Sequence, residues 1–337
     1  MVTYRGYKTS ITYVTEAVMG TPVSPTTTPV KGKIQTMTIN QTNNLIRSVG
    51  LGEGRNETFV AFGNYECSWS MEYQVAAFDF LQFGIGPMAG AGTTASPYSL
   101  AEADFRNYTS GLETATVEVN GQDVAGGTFN VDTITSAIIN TIGLTIELGQ
   151  ALRCSIEGFG QKVVSKATTG VAYTNDTTLP WIFSQGAFKW NASAVGRVQS
   201  ATININNNID PDIGREIGSR FVAEFEPGLR KYDWTIVVKM TSTVATTLRD
   251  AFYGVVNTPD TGVGNAEPTF YDIILNFAEG AASADRVAQI LLSDCAVNDI
   301  SKPINIGENL VELTINGTGK HGTTDTTNKP FKWWTIT

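Results

Sequence analysis

The chain repeats itself. Gly32 opens the run GKIQTMTINQTNNLI, and Gly196 opens GRVQSATININNNID. At one offset Gly32 falls on Gly196, Gln35 on Gln199, Thr38 on Thr202, Ile39 on Ile203 and Asn40 on Asn204. The pair Asn43-Asn44 falls on Asn207-Asn208. An internal repeat outranks every other sequence signal, because it fixes the unit that has to fold.

The match continues with small gaps. Arg55 to Phe62 (RNETFVAF) resembles Arg220 to Phe225 (RFVAEF), and Tyr65-Glu66 falls near Tyr232-Asp233. Val75 to Gly84 and Val244 to Gly254 both place apolar residues at helical spacing and end at a glycine. Thr116–Asn120 corresponds loosely to Asp272–Asn276, and LRCSIEGFG ending at Gly160 corresponds to VELTINGTG ending at Gly319. Aromatic clusters, Phe188 with Trp190 and Phe331 with Trp333 and Trp334, are read as the close of each copy. This predicts two domains, 1–191 with an N-terminal arm over about 1–30, and 192–337.

Hydrophobic residues make up 42% of the 337 and charged residues 16%, with β-branched residues throughout and no long Ala/Leu/Glu/Lys runs. That composition favours strands. The expected fold is mainly β: two tandem copies of a β-sandwich or open-barrel domain, each with one flanking α-helix. Val198, Ala201, Ile203 and Ile205 alternate well towards their end, whereas Ile34, Thr36 and Thr38 against Met37 and Ile39 are irregular.

Catalytic chemistry finds little support. The single histidine, His321, lies in the polar run GKHGTTDTTNK, and nothing near it completes a nucleophile–base pair or a metal site. The cysteines Cys67, Cys154 and Cys295 are widely spaced and read as buried apolar residues. Gly52-Glu53-Gly54 and Gly158-Phe159-Gly160 lack the spacing of a phosphate loop and read as tight turns. Asp210-Pro211-Asp212, Asp123 and Asp132 lack a calcium loop's closing glutamate. No enzyme activity, cofactor or metal is therefore expected. A net charge of −9 argues against holding nucleic acid by its phosphates. The first twenty residues show no apolar signal segment and no run is long enough to span a membrane, so synthesis in a host cytoplasm is expected.

Residues 32–86 resemble the tail tube proteins of long-tailed phages and archaeal tailed viruses. The resemblance is carried by the opening strand ending in Asn43-Asn44-Leu45, then Gly50-Leu51-Gly52 with Arg55, then Gly63-x-Tyr65-Glu66 leading to Trp69, and the helix ending at Gly84. The outline recurs over 196–254, with Gly214 and Gly218-x-Arg220. The resemblance implies a virion protein that stacks as rings into a hollow tube for viral DNA. If six tube domains make a ring, two domains per chain imply homotrimers with pseudo-sixfold symmetry. Tape-measure, tail-terminator and baseplate proteins are the implied partners, and DNA is expected to pass without specific binding.

The segments Arg47–Gly63 and Ile213–Arg230 are read as stacking loops, since each carries an apolar cluster in a polar setting. Arg47, Arg55, Phe59 and Phe62 in the first, and Arg215, Arg220, Phe221 and Phe225 in the second, are the candidate contacts between subunits or rings. Pro22, Pro25 and Pro29 suggest an extended arm. The competing readings are a secreted two-domain β-sandwich adhesin or carbohydrate-binding module and, less well supported, a terminator or baseplate component.

Overall fold

A computed structural model describes residues 4–24, 26–48, 59–100, 112–123, 128–169, 173–191, 193–240, 270–280, 286–301, 312–319 and 331–334. Strands dominate. In chain order they are β1 (Tyr4–Thr15), β2 (Thr28–Pro29), β3 (Gly32–Ser48), β4 (Phe59–Val75), β5 (Met88–Ala89), β6 (Tyr98–Leu100), β7 (Ala115–Asp123), β8 (Thr128–Glu147) and β9 (Arg153–Gly160). These are followed by β10 (Lys162–Thr169), β11 (Gly186–Trp190), β12 (Ser193–Ala194), β13 (Val198–Asn206), β14 (Lys231–Lys239), β15 (Tyr271–Ala278), β16 (Val287–Ser301), β17 (Glu312–Gly319) and β18 (Phe331–Trp334). Two helical segments interrupt them among the described residues: a 3-10 turn at Asp79–Leu81 running into α1 at Gln82–Ile85, and a lone 3-10 turn at Phe183–Gln185.

The pairings fall into two sets that correspond one for one. In the first, β1 pairs with β2 and β7, β7 with β8, β8 with β9 and β10, and β4 with β3 and β9. In the second, β11 pairs with β12 and β15, β15 with β16, β16 with β17 and β18, and β14 with β13 and β17. All are antiparallel. The correspondence reaches single residues. The long strand of each set turns at a left-handed residue, Ser136 at φ 53° and Asp294 at φ 49°. Before that turn β8 pairs with β7 and β10; after it, apart from Ala137 opposite Ala115, β8 pairs with β9 and β13. One strand thus serves two sheet layers, and the core lies between them. Glu16 holds the turn, accepting from Ser136 N–H at 2.8 Å and from Ser136 Oγ at 2.7 Å.

The irregular alternation at Ile34–Thr38 has a cause. The register slips by one residue between Ile34 and Thr36, leaving Gln35 as a bulge, and slips again between Val198 and Ser200 around Gln199. Both glutamines donate to the carbonyl two residues back, Lys33 and Arg197.

Several sequence expectations change. Gly158-Phe159-Gly160 is not a turn but the end of β9. Gly158 lies under the indole of Trp69: a Cβ there would stand 2.6 Å from Trp69 Cζ2 and 2.2 Å from the Ile138 carbonyl oxygen. Gly317 lies under Trp234 in the same way, at 2.1 Å and 2.2 Å from Ala296 O. The glycines mark close packing of a large ring on a strand. The first helix begins later than its apolar spacing predicts, because β4 runs through Val75. Its Gly84 is not the stop but a contact, where a Cβ would meet Ile139 at 2.9 Å, and the chain leaves at Gly86. The second predicted helix, Val244 to Gly254, lies outside the described residues, as do Gly52-Glu53-Gly54 and His321. The segment read as an arm is bound to its own chain. β1 pairs with β7, and Ser24 Oγ and Thr26 N–H donate to the fully buried Glu118 at 2.6 and 2.8 Å.

Phe188 and Trp190 sit opposite Leu275 and Ile273, where Ile11 and Tyr13 of β1 sit opposite Val119 and Val117. They open the second set of pairings. Trp190 meets Trp234 edge-on at 5.8 Å, while Tyr13 meets Phe80 at 5.0 Å and Phe80 meets Trp69 at 6.2 Å. Tyr13 donates to Asp79 Oδ2 at 2.8 Å, and Lys31 Nζ lies 3.8 Å from the same oxygen.

Two measurements check this core. Gly158→Ala and Gly317→Ala should each cost about 3 kcal/mol in thermal or denaturant unfolding, since a backbone carbonyl cannot yield. Gly143→Ala, whose nearest neighbour is the mobile tip of Asn204 at 3.3 Å, should cost about 1 kcal/mol or less. Burial pushes the Asp79 carboxyl upward against the opposing pull of Lys31 and Tyr13. The folded state therefore takes up a proton more readily there than the unfolded chain does. Wild-type stability relative to Asp79→Asn should fall as pH rises through that raised value and level off below the ordinary aspartate range. Denaturant titrations of both proteins across the acidic range read the difference.

Candidate functional site

The main ladder joining the two sets of strands lies between β8 and β13, and a shorter one pairs β18 with β6. The second half of β8 is flanked by β9 on one side and by β13 on the other, with Ser200 opposite Glu147, Thr202 opposite Thr145, Asn204 opposite Gly143 and Asn206 opposite Thr141. The side chains that alternate inward on β13, Ala201, Ile203 and Ile205, are buried, as are Ile142, Leu144 and Ile146 of β8.

Asn140 ends the ladder. The register of β8 on β9 slips between Ile139 and Thr141, leaving Asn140 as a bulge. Its carbonyl accepts from Asn207 N–H at 2.9 Å and its side-chain oxygen from Ile209 N–H at 2.8 Å. Asn207 is fully buried and donates from Nδ2 to the carbonyls of Gly84 and Ile139 at 2.8 and 2.9 Å. Arg230 donates from Nε to Asn207 Oδ1 at 2.7 Å and from Nη2 to the Gly84 and Ile85 carbonyls at 2.9 and 3.1 Å. The carbonyl end of α1, in the first set, is thus closed by a cation and an amide from the second.

The chain from 209 to 226 then lies across the base of the β3–β4 hairpin. Tyr65 N–H donates to the Arg220 carbonyl at 2.9 Å. Arg220 donates to Gly63 O at 3.0 Å and Asn43 Oδ1 at 2.6 Å, and its guanidinium lies 4.9 Å from the centre of the Phe62 ring. Arg215 is held by Asp212 at 2.7 Å and reaches the Tyr65 carbonyl at 3.2 Å. Phe221 meets Tyr65 edge-on at 5.5 Å and Phe225 stacks on Phe159 at 6.5 Å. The four candidate residues of the second segment therefore gather at this junction within the chain.

The first segment is different. Residues 47–48 and 59–63 belong to strands, not to a loop, and Arg55 lies outside the described residues. Arg47 stands opposite Val60, with Phe59 opposite Ser48 and Phe62 opposite Leu45. Phe59 and Phe62 are 53% and 64% exposed. The sequence pattern does not single out Asn140, Asn207 and Arg230 as site residues. Asn207 is visible there only as a repeat identity with Asn43.

Several strand edges in the described residues carry no partner, that of β10 among them, and two of these matter for the join between the sets. β3 pairs only with β4, and the end of β16, from Ala296 to Ser301, pairs only with β17. Their burial reflects this. Met37 and Ile39 are half-buried where their repeat partners Ala201 and Ile203 are buried. Ala296, Val297 and Ile300 are half-buried where Ile138, Ile139 and Ile142 of β8 are buried.

One face of the run β3–β4–β9–β8–β13–β14–β17–β16 alternates away from the core. It carries Thr38, Asn40, Ser68, Ser70, Ser155, Thr202, Asn204, Thr235 and Asn316. Among these stand the carboxylates Glu66, Glu72, Glu147, Glu157, Asp233, Asp299 and Glu312, with fewer cations: Lys33, Arg153, Lys231 and Lys239. Charged pairs on it are weak, as between Arg153 and Glu72 at 4.0 Å.

The model of the phage tail tube protein family matches residues 6–319. The chain belongs to the phage tail tube protein family. That family is structural and places the protein in the virion tail. No curated protein matches it. No metal-ligating cluster occurs among the described residues, and no described helix is long and apolar enough to cross a membrane. Burial pushes the thiols of Cys67, Cys154 and Cys295 up to about 12, far from thiolate chemistry at neutral pH.

Asn207→Ala should cost about 3 kcal/mol, because it strands two buried carbonyls and the Arg230 guanidinium. Asn208→Ala, on an exposed side chain that holds only the Leu229 carbonyl, should cost about 1 kcal/mol. Denaturant unfolding of the two variants checks the contrast.

Proposed function

We propose that the chain is the major tube subunit, with two tube units in tandem, three chains to a ring, and rings stacked into a conduit for viral DNA. One observation carries the reading: among the uncovered edges of the described residues, β3 and the end of β16 are those whose repeat counterparts, β13 and β8, are joined in the chain's own middle. A head-to-tail contact of this kind generates closed rings when the rotation closes. It also removes the exposed edges that otherwise invite aggregation. Six tube units per ring, as the resemblance implies, require three chains. The pairings favour a join between units ahead of Gly186, since β11 opens the second set.

The polar face described above lines the conduit in this reading. Short hydroxyl and amide side chains offer DNA little to stack on, and the surplus of carboxylates opposes phosphate contacts. Arg47, Phe59 and Phe62 on the projecting hairpin are proposed for contacts between rings, with Arg55 joined to them on sequence alone. Arg215, Arg220, Phe221 and Phe225 fasten neighbouring units. Tape-measure, terminator and baseplate proteins would meet the tube at its lumen and ends.

Negative-stain microscopy with mass photometry across a concentration series tests the proposal. Rings or tubes with three chains per ring are expected. Six-chain rings would keep the tube and refute the trimer. A monomer that persists at every concentration, including with preformed tail tips as seeds, would overturn self-assembly.

A further inference from the structure

Asn43-Asn44 and Asn207-Asn208 are the same residues at the same point of the repeat, and the chain uses them differently. At the second pair the strand stops. Asn208 takes φ 49°, and Asn207 and Ile209 turn their N–H groups onto Asn140. At the first pair β3 continues beside β4 to Ser48, through a register shift between Asn43 and Leu45, and both asparagines are exposed. The acceptor has a counterpart too. Asn298 is a bulge opposite the Gly317–Asn316 step, as Asn140 is opposite Gly158–Glu157. Among the described residues, no segment stands to Asn298 as Asn207 and Ile209 stand to Asn140.

We propose that the Asn298 bulge and the edge Asp299–Ser301 receive the Gln41–Leu45 segment of a second copy of this chain. The register is that of the internal ladder: Asn40 opposite Ser301 as Asn204 is opposite Gly143, and Thr42 opposite Asp299 as Asn206 is opposite Thr141. The inference rests on the self-assembly reading and adds to it a conformational step. To follow the path of Asn207–Ile209, the chain must leave β4 after Thr42, the counterpart of Asn206 where β13 leaves β14, so the outer end of the hairpin opens. Asn44 is suited to the left-handed turn, since asparagine tolerates positive φ better than other residues with a side chain.

The balance of burial favours the step. In the pairs that open, Asn43 with Tyr65 and Leu45 with Phe62 through Ser48 with Phe59, the apolar side chains of β3 are already exposed: Leu45 is 44% and Ile46 55% accessible. Joining covers the half-buried Met37 and Ile39 on one chain and Val297 and Ile300 on the other. Little apolar area is newly given to water by β3, and joining withdraws more at Met37, Ile39, Val297 and Ile300, so the hydrophobic contribution favours assembly. In the free chain the closed hairpin keeps Asn43 committed to its own β4 and to Arg220, which restrains premature joining.

Paired cysteines test register and opening separately. Asn40→Cys with Ser301→Cys should form disulfides only between chains, and Gly143→Cys with Asn204→Cys, the internal image of that pair, only within one. The native thiols are buried and their raised pKa keeps them slow to oxidise. Cross-linking of the test pair at a rate within about threefold of the control, ending at the ring size, supports the register. Rings visible by microscopy with the control oxidised and the test pair free would overturn it while leaving self-assembly intact. Failure of both proteins to form rings would overturn both. For the opening step, Leu45→Cys with Phe62→Cys locks the hairpin. Oxidised protein should lose ring formation and recover it on reduction; rings that form with the lock closed would overturn the opening.

Discussion

The structure depends on covering the second half of β8. That segment carries Ile138, Ile139, Ile142, Leu144 and Ile146, all buried, and it reaches that state only because β9 and β13 flank it on both sides. A strand of such residues with one open edge would expose both main-chain polar groups and apolar surface. β13 supplies the missing partner from the other half of the chain, so neither half completes its sheet alone. The same requirement explains why the carbonyl end of α1 is closed by Asn207 and Arg230 from across the join.

The second constraint is alternation. Each strand of the long run turns one face towards the core and the opposite, mostly polar face away from it. Pairing fixes those faces: a slip of one residue would exchange them. The bulges at Gln35, Gln199, Asn140 and Asn298 are where the chain absorbs an extra residue without exchanging them. The left-handed residues Ser136 and Asp294 bend the two long strands from one layer to the next. Packing between the layers is then set by a few large rings and by the glycines that let them approach.

Much of this is legible in the sequence, and the failures share a cause. Composition and alternation indicate a mainly β chain, and the repeat of Gln35 and Asn40 with Gln199 and Asn204 marks equivalent strands. What pattern cannot supply is the partner across the sheet. Gly158 looks like a turn residue until Trp69 is placed over it, and Gly84 looks like a helix stop until Ile139 is placed against it. Phe188 and Trp190 look like the end of a unit because they end a stretch of sequence, yet their strand pairs with β15, about eighty positions on. Asn207 is visible as an identity and not as a hub, since nothing local shows that it binds Asn140, Gly84 and Arg230. The exposed Phe59 and Phe62 are easier to find, because apolar residues in a polar neighbourhood announce themselves without a partner.

The ladder between β8 and β13 lies within a single polypeptide, and that has an arithmetical consequence. Any ring built by repeating this contact contains an even number of units, so five- and seven-membered errors cannot arise from whole chains. Half of the contacts are made during folding, by first-order steps whose rate does not depend on protein concentration. On the proposed reading of two units per chain, the fusion filters the sizes a ring can take and shortens the sequence of collisions needed to close it.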